Sequence, residues 1–202
     1  MENISLDFET TAVVLIDMQD TFIRRNPPRI LPIIPNQLAL FQFCKKNNVK
    51  TFIIEMNGYE STVKILSDIV STFPTSCIYK IKKSYDGAFN TTDLDQLLIE
   101  AGITTIILTG INANACVLKT IEEGQQKYRM ITSKDLIAST STDTDYEIVY
   151  RRYEFLGVTI TENHETLLQL FRQRHTAPPP NNRPFFFRLW DYFTRPNYLS
   201  KK

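Results

Sequence analysis

Cysteine and histidine are both scarce in this chain, with three of the first and two of the second among 202 residues. Cys44, Cys77 and Cys116 cannot all pair, and none sits in a Cys-x-x-Cys or Cys/His metal spacing. That argues against a disulfide scaffold and against a structural zinc site. A large charge of one sign is also missing. The formal net charge is +1, so bulk charge gives no reason to invoke nucleic acid or an anionic membrane. The opening stretch, MENISLDFET, lacks a basic segment followed by an apolar one, and no apolar run reaches transmembrane length. These absences leave a reducing cytosol as the default compartment, with a leaderless secretion route also compatible.

What is present suits one sizeable core. The chain is 43% hydrophobic and 22% charged, an ordinary globular balance, and its length is short for two cores. TAVVLID at 11–17 is an apolar run ending in a carboxylate, as expected of a strand covered on both faces. The Pro-rich segment 18–34 reads as irregular, and Pro35 opens a helix to about residue 46. Further strands are expected at 50–55, 77–82, 104–110, 128–133 and 158–161. Helices are expected at 60–70, 92–101, 115–127, 143–156 and 164–173. Six strands alternating with helices predict a three-layer α/β fold, a mostly parallel sheet with helices on both faces. No internal repeat is found.

Composition changes near residue 176, which divides the chain into a domain at 1–176 and an aromatic, basic C-terminal arm at 177–202. The arm carries a net charge of +4 and the rest −3. Pro178, Pro179 and Pro180 make a stiff spacer, and Phe185, Phe186, Leu189, Trp190 and Phe193 share one face if the stretch is helical. Two readings stand. The arm packs on its own core or a sister subunit, or it engages a protein partner or a membrane surface.

Open α/β sheets bind ligands beyond the carboxyl ends of their strands. Asp17 ends the first predicted strand, Lys83 follows the one at 77–82, and Cys116 lies just past 104–110. Taken singly, each has an ordinary explanation: a turn carboxylate, a surface lysine, a packed cysteine. GINANACV, however, runs from a strand into a helix with Asn114 as N-cap and Cys116 in the first turn. The helix dipole and free N–H groups there are expected to lower the thiol pKa and to hold an oxyanion. A lysine ammonium would stabilise the thiolate, and Asp17 could move the proton. Cys44 and Cys77 have no such neighbours.

Three blocks of this sequence resemble the isochorismatase-like cysteine hydrolases, which include nicotinamidases and N-carbamoyl amidohydrolases. VVLIDMQDTF (13–22) looks like the family's strand and DMQxxF opening. KKSYDGAFNTTDLDQLL (82–98) looks like its lysine block, in which the lysine six residues before the AF phenylalanine, here Phe89, is Lys83. ILTGINANACVLKT (107–120) looks like its G-x-x-T-x-x-C-V segment, and weaker likeness extends the match to about 10–171.

The resemblance implies a Cys116–Asp17–Lys83 triad and a non-proline cis peptide at Ile111–Asn112, which aims the amides of Asn112 and Cys116 at an oxyanion. Gln19 and Phe22, in the DMQxxF match, would support the site. It also implies a homo-oligomer and a small-molecule substrate. Two departures stand out. Ala113 occupies the place of the family's usual threonine, removing a hydroxyl from the nucleophile turn. Nicotinamidases carry an Asp/His metal cluster after the second strand, where this chain reads EMNGYES; His164 and His175 lie far away along the chain. The expectation is therefore a metal-independent, cofactor-free hydrolase of a small amide, ureido or related C–N bond. A binding scaffold acting through residues 177–202 is the alternative.

Overall fold

In the computed structural model, residues 5–171 are described. His175, the Pro178–Pro180 spacer and the arm at 177–202 lie outside them, as does the proposed boundary near 176. Seven parallel strands form one sheet: β1 (Thr11–Ile16), β2 (Lys50–Met56), β3 (Ile78–Lys83), β4 (Thr105–Ile111), β5 (Arg129–Ser133), β6 (Ile137–Ala138) and β7 (Thr159–Thr161). The order is β3-β2-β1-β4-β5-β7, with β6 added beside the end of β4. The two-residue β6 is the strand that the sequence pattern did not separate, being too short to alternate.

All six residues of β1 are buried, and their alternation sorts the core into two halves. Val13 and Leu15 enter one hydrophobic cluster with Leu40 and Phe41 of α3 (Ile34–Asn47), Leu66 of α4 (Lys64–Val70) and Leu167 of α8 (His164–Gln169). Ala12, Val14 and Ile16 enter the other with Leu98 of α5 (Leu94–Glu100), Ile121 of α6 (Leu118–Gly124) and Val149 and Tyr153 of α7 (Tyr146–Phe155). The expected three-layer α/β fold is thus the observed one. Among the described residues no helix is long and apolar enough to cross a membrane.

The segment expected to be irregular instead holds two single-turn helices, α1 (Asp20–Ile23) and α2 (Pro27–Ile30), and a 3-10 turn at Leu31–Ile33. Prolines at the first positions of α2 explain this, because they forgo only amides that a helix start leaves unpaired. Asp145 caps α7, accepting from the amides of Glu147 and Ile148, and Asn163 caps α8. His164 begins α8 and is largely buried, with Nδ1 2.7 Å from Asp135 Oδ2 and 3.3 Å from Glu165 Oε2, so it ties that helix to the loop between β5 and β6.

The strand order reverses between β1 and β4, the place where an open α/β sheet offers a crevice. Gly110 lets these strands meet there. Its φ is +120°, and a Cβ at this position would lie 2.1 Å from the carbonyl oxygen of Ile16. Gly110→Ala is expected to cost about 1–3 kcal/mol, the range for strained backbone, read as a lower thermal midpoint. An unchanged midpoint would show that the two strands part freely.

Candidate active site

Asp17, Lys83 and Cys116 come from three separate segments and converge at the carboxyl ends of β1, β3 and β4, with Lys83 the last residue of β3 and not, as expected, the residue after that strand. Asp17 follows β1 with φ +53°, a left-handed conformation that Asp tolerates better than most residues. Gln19 braces this turn: its Nε2 donates to the carbonyls of Met56 (3.0 Å) and Glu60 (2.6 Å), and its Oε1 accepts from Met56 N. Phe22 packs against Tyr59 with ring centroids 4.7 Å apart. Both residues therefore fix the loops after β1 and β2 around Asp17.

Lys83 is the residue whose surroundings depart most from its type. It is 0% exposed, and its Nζ lies 2.8 Å from Asp17 Oδ2, itself on a side chain 1% exposed. The same Nζ donates to the carbonyl of Asp86 at 2.7 Å. The Lys83 ammonium and the Cys116 thiol are the groups that face this carboxylate. Burial raises the Asp17 carboxyl above its usual range, and the nearby charge of Asp86 adds to this. Lys83 and the Cys116 thiol pull it down, but by less.

Cys116 is 6% exposed. It sits in a π turn at Ala113–Val117 that precedes α6, not in the first turn of an α-helix, and Asn112, not Asn114, is the flanking residue. Asn114 does not cap; its Oδ1 accepts from Ser139 Oγ at 2.8 Å. The thiol pKa is likewise not lowered. Burial first, then the negative charge of Asp17, push it up to about 12, against smaller downward pulls from Lys83 and from the Asn112 amide. At neutral pH the sulfur is a protonated thiol beside a carboxylate that can take its proton.

The Ile111–Asn112 peptide is cis. Asn112 Oδ1 accepts from Thr140 N at 2.7 Å, and the Asn112 carbonyl accepts from Ala115 N and Val117 N, so the turn is held from both sides. Its support does not depend on a hydroxyl at position 113, because the buried Tyr153 hydroxyl of α7 donates to the Ala113 carbonyl at 2.5 Å. Asp86 is the site neighbour that sequence reasoning missed. The Cys116 thiol lies 3.8 Å from Asp86 Oδ1, in position to donate to it. Its signal was a carboxylate three residues after Lys83, beside a glycine.

A metal does not fit the place after β2. Glu55, near the end of β2, accepts at Oε1 from Thr62 N (2.6 Å) and Thr62 Oγ1 (2.7 Å) and pairs at Oε2 with Lys82 (2.7 Å). Glu60, beyond the strand, pairs with Arg24 (2.5 Å), and no histidine stands near them in sequence. Elsewhere, Asp135, His164 and Glu165 gather donor atoms, but these face one another as described above.

Residues 11–165 match the family model of the Isochorismatase domain, which covers more than half of the chain. The chain belongs to the isochorismatase family. By type it is an isochorismatase-like hydrolase, as the three sequence blocks implied. YaaI, an uncharacterized isochorismatase family protein of Bacillus subtilis (strain 168), is 30% identical over 164 residues, covering 72% of this chain and 87% of that protein. Among solved structures, the nicotinamidase SaPncA of Staphylococcus aureus superposes with a TM-score of 0.69 at 18% identity, over 76% of this chain and 99% of that one. N-carbamoylsarcosine amidase of Thermoplasma acidophilum gives 0.64 at 20% identity, over 75% and 95%. At those identities the likeness is one of fold.

Proposed function

We propose that this isochorismatase-family chain is a metal-independent cysteine hydrolase of a small amide, ureido or related C–N bond. The observation that carries the reading is the buried Lys83–Asp17 pair beside the Cys116 thiol, an arrangement with no evident packing purpose and a cost that a hydrophobic core avoids. The nicotinamidase and carbamoylsarcosine amidase neighbours support an amide-type substrate.

In this mechanism Asp17 takes the thiol proton as the Cys116 sulfur attacks the substrate carbonyl carbon, forming a C–S bond. The carbonyl oxygen, now negative, is received by the amides of Asn112 and Cys116. The C–N bond then breaks, and the proton on Asp17 passes to the leaving nitrogen. Water, deprotonated by Asp17, hydrolyses the thioester, and the acid leaves while the thiol is restored. Lys83 keeps Asp17 ionised in a buried place and holds the loop carrying Asp86. The cytosolic location and the homo-oligomer belong to the same reading.

Screening small amides and ureides for ammonia release, with mass spectrometry of the protein during turnover, tests it. An acyl adduct on Cys116 and loss of turnover after its alkylation are expected. Full turnover by a protein whose Cys116 is alkylated would refute the reading.

A further inference from the structure

We propose that Asp86 is a substrate-recognition residue. It accepts an N–H from the amide or ureido group and turns away substrates that carry a carboxylate beside the scissile carbonyl. This deepens the cysteine hydrolase reading and rests on it. Asp86 Oδ1 lies 3.8 Å from Cys116 Sγ, so a carbonyl carbon attacked by that sulfur brings its nitrogen substituents into Asp86's reach.

Asp86 is placed, not loose. Its carbonyl accepts from the buried Lys83 Nζ, and the next residue, Gly87, lies directly under Glu123: a Cβ on Gly87 would be 2.1 Å from Glu123 Oε1. Glu123 in turn accepts from Phe89 N at 2.9 Å and from Asn90 Nδ2 at 2.8 Å, fastening the loop to α6. Two carboxylates, Asp17 and Asp86, therefore flank the thiol, and the one ammonium, that of Lys83, is paired with Asp17. The neutral-thiol site is net negative by one charge, which disfavours an anion and favours a hydrogen-bond donor.

The two carboxylates differ in what they can do. Asp17 is buried with its proton affinity raised, as a base requires, while Asp86 is exposed and suits binding of an N–H. Asp86 also lines an open hollow of about 460 Å³ together with Tyr85, Asn90, Lys119 and Glu123. Lys119, the cation on that hollow, lies 3.5 Å from Glu122 Oε2, and Glu123 adds a carboxylate to the same wall.

Iodoacetamide and iodoacetate test this without knowledge of the substrate, because they differ only in carboxamide against carboxylate. Their rates on Cys116, followed by peptide mass, are compared with the rates on N-acetylcysteine. Cys116 of the native protein is expected to favour the amide reagent about tenfold more than the free thiol does, the size of one nearby partly screened charge. Asp86→Asn should remove that excess, and Asp86→Glu should retain most of it. An excess unchanged in Asp86→Asn, or none in the native protein, overturns the role of Asp86 alone. A Cys116 that neither reagent modifies overturns the nucleophile reading as well.

Discussion

Lys83→Met is expected to abolish turnover and to lower stability by about 3–5 kcal/mol, the usual cost of removing one partner from a buried ion pair. With the ammonium gone, the Asp17 carboxylate faces burial alone, and the carbonyl of Asp86 loses its donor. The pH dependence gives the cause away. Asp17 already has a carboxyl pKa raised in the fold by burial, and losing Lys83 raises it further. The folded state then binds a proton more tightly than the unfolded chain, so stability rises as pH falls through the folded pKa. The deficit of Lys83→Met should be greatest near neutrality and shrink toward acid, measured as urea midpoints across pH. Adding Asp17→Asn should restore much of the loss, since the pair is then neutral on both sides. A deficit that is the same at every pH, or undiminished in the double variant, would mean that Lys83 acts through packing.

Strand and helix alternation made the sheet and its helical layers legible, because buried parallel strands such as 11–16 and 105–111 read as continuous apolar runs. The segment at 18–34 was not legible. Single-turn helices have no period to detect, and Pro27 and Pro28 read as breakers where they are in fact helix starts. At the site, position at strand ends raised Asp17, Lys83 and Cys116 as candidates, and the three family-like blocks were needed to choose Lys83 over Lys82 and join the three. Their electrostatics were not readable, because burial is a property of the assembled core: a lysine beside another lysine looks solvated until β3 is seen to end with its second member covered. The same cause reversed the expected thiol shift. A helix start predicts a lowered pKa, but the π turn sinks Cys116 into the core next to an anion, and both effects outweigh the Asn112 amide. Asp86 escaped notice since its approach to the sulfur depends on how Glu123 fastens the loop over Gly87.

That reversed shift makes Asp17 more important than a thiolate-based site would. With the Cys116 pKa near 12, only a minute fraction of the sulfur is thiolate at pH 7, so attack requires the proton to leave as the C–S bond forms. Asp17→Asn removes the acceptor and is expected to lower kcat/KM by about 10²–10⁴-fold, the usual worth of a placed base. The variant is near isosteric but leaves the Lys83 ammonium buried without its anion, so a loss of about 3–5 kcal/mol in stability is expected as well, and kcat/KM is compared at a temperature where both proteins are folded. Two signatures separate a base from a mere support. In the native protein kcat/KM should fall in acid with a midpoint above the ordinary aspartate range, since the raised Asp17 carboxyl is protonated there and cannot accept. In Asp17→Asn that limb should vanish, leaving a rate that climbs with pH as hydroxide takes over the proton. If the variant keeps the acid limb and loses less than tenfold, Asp17 is a structural counter-ion to Lys83, and Asp86 would be the carboxylate left to move the proton.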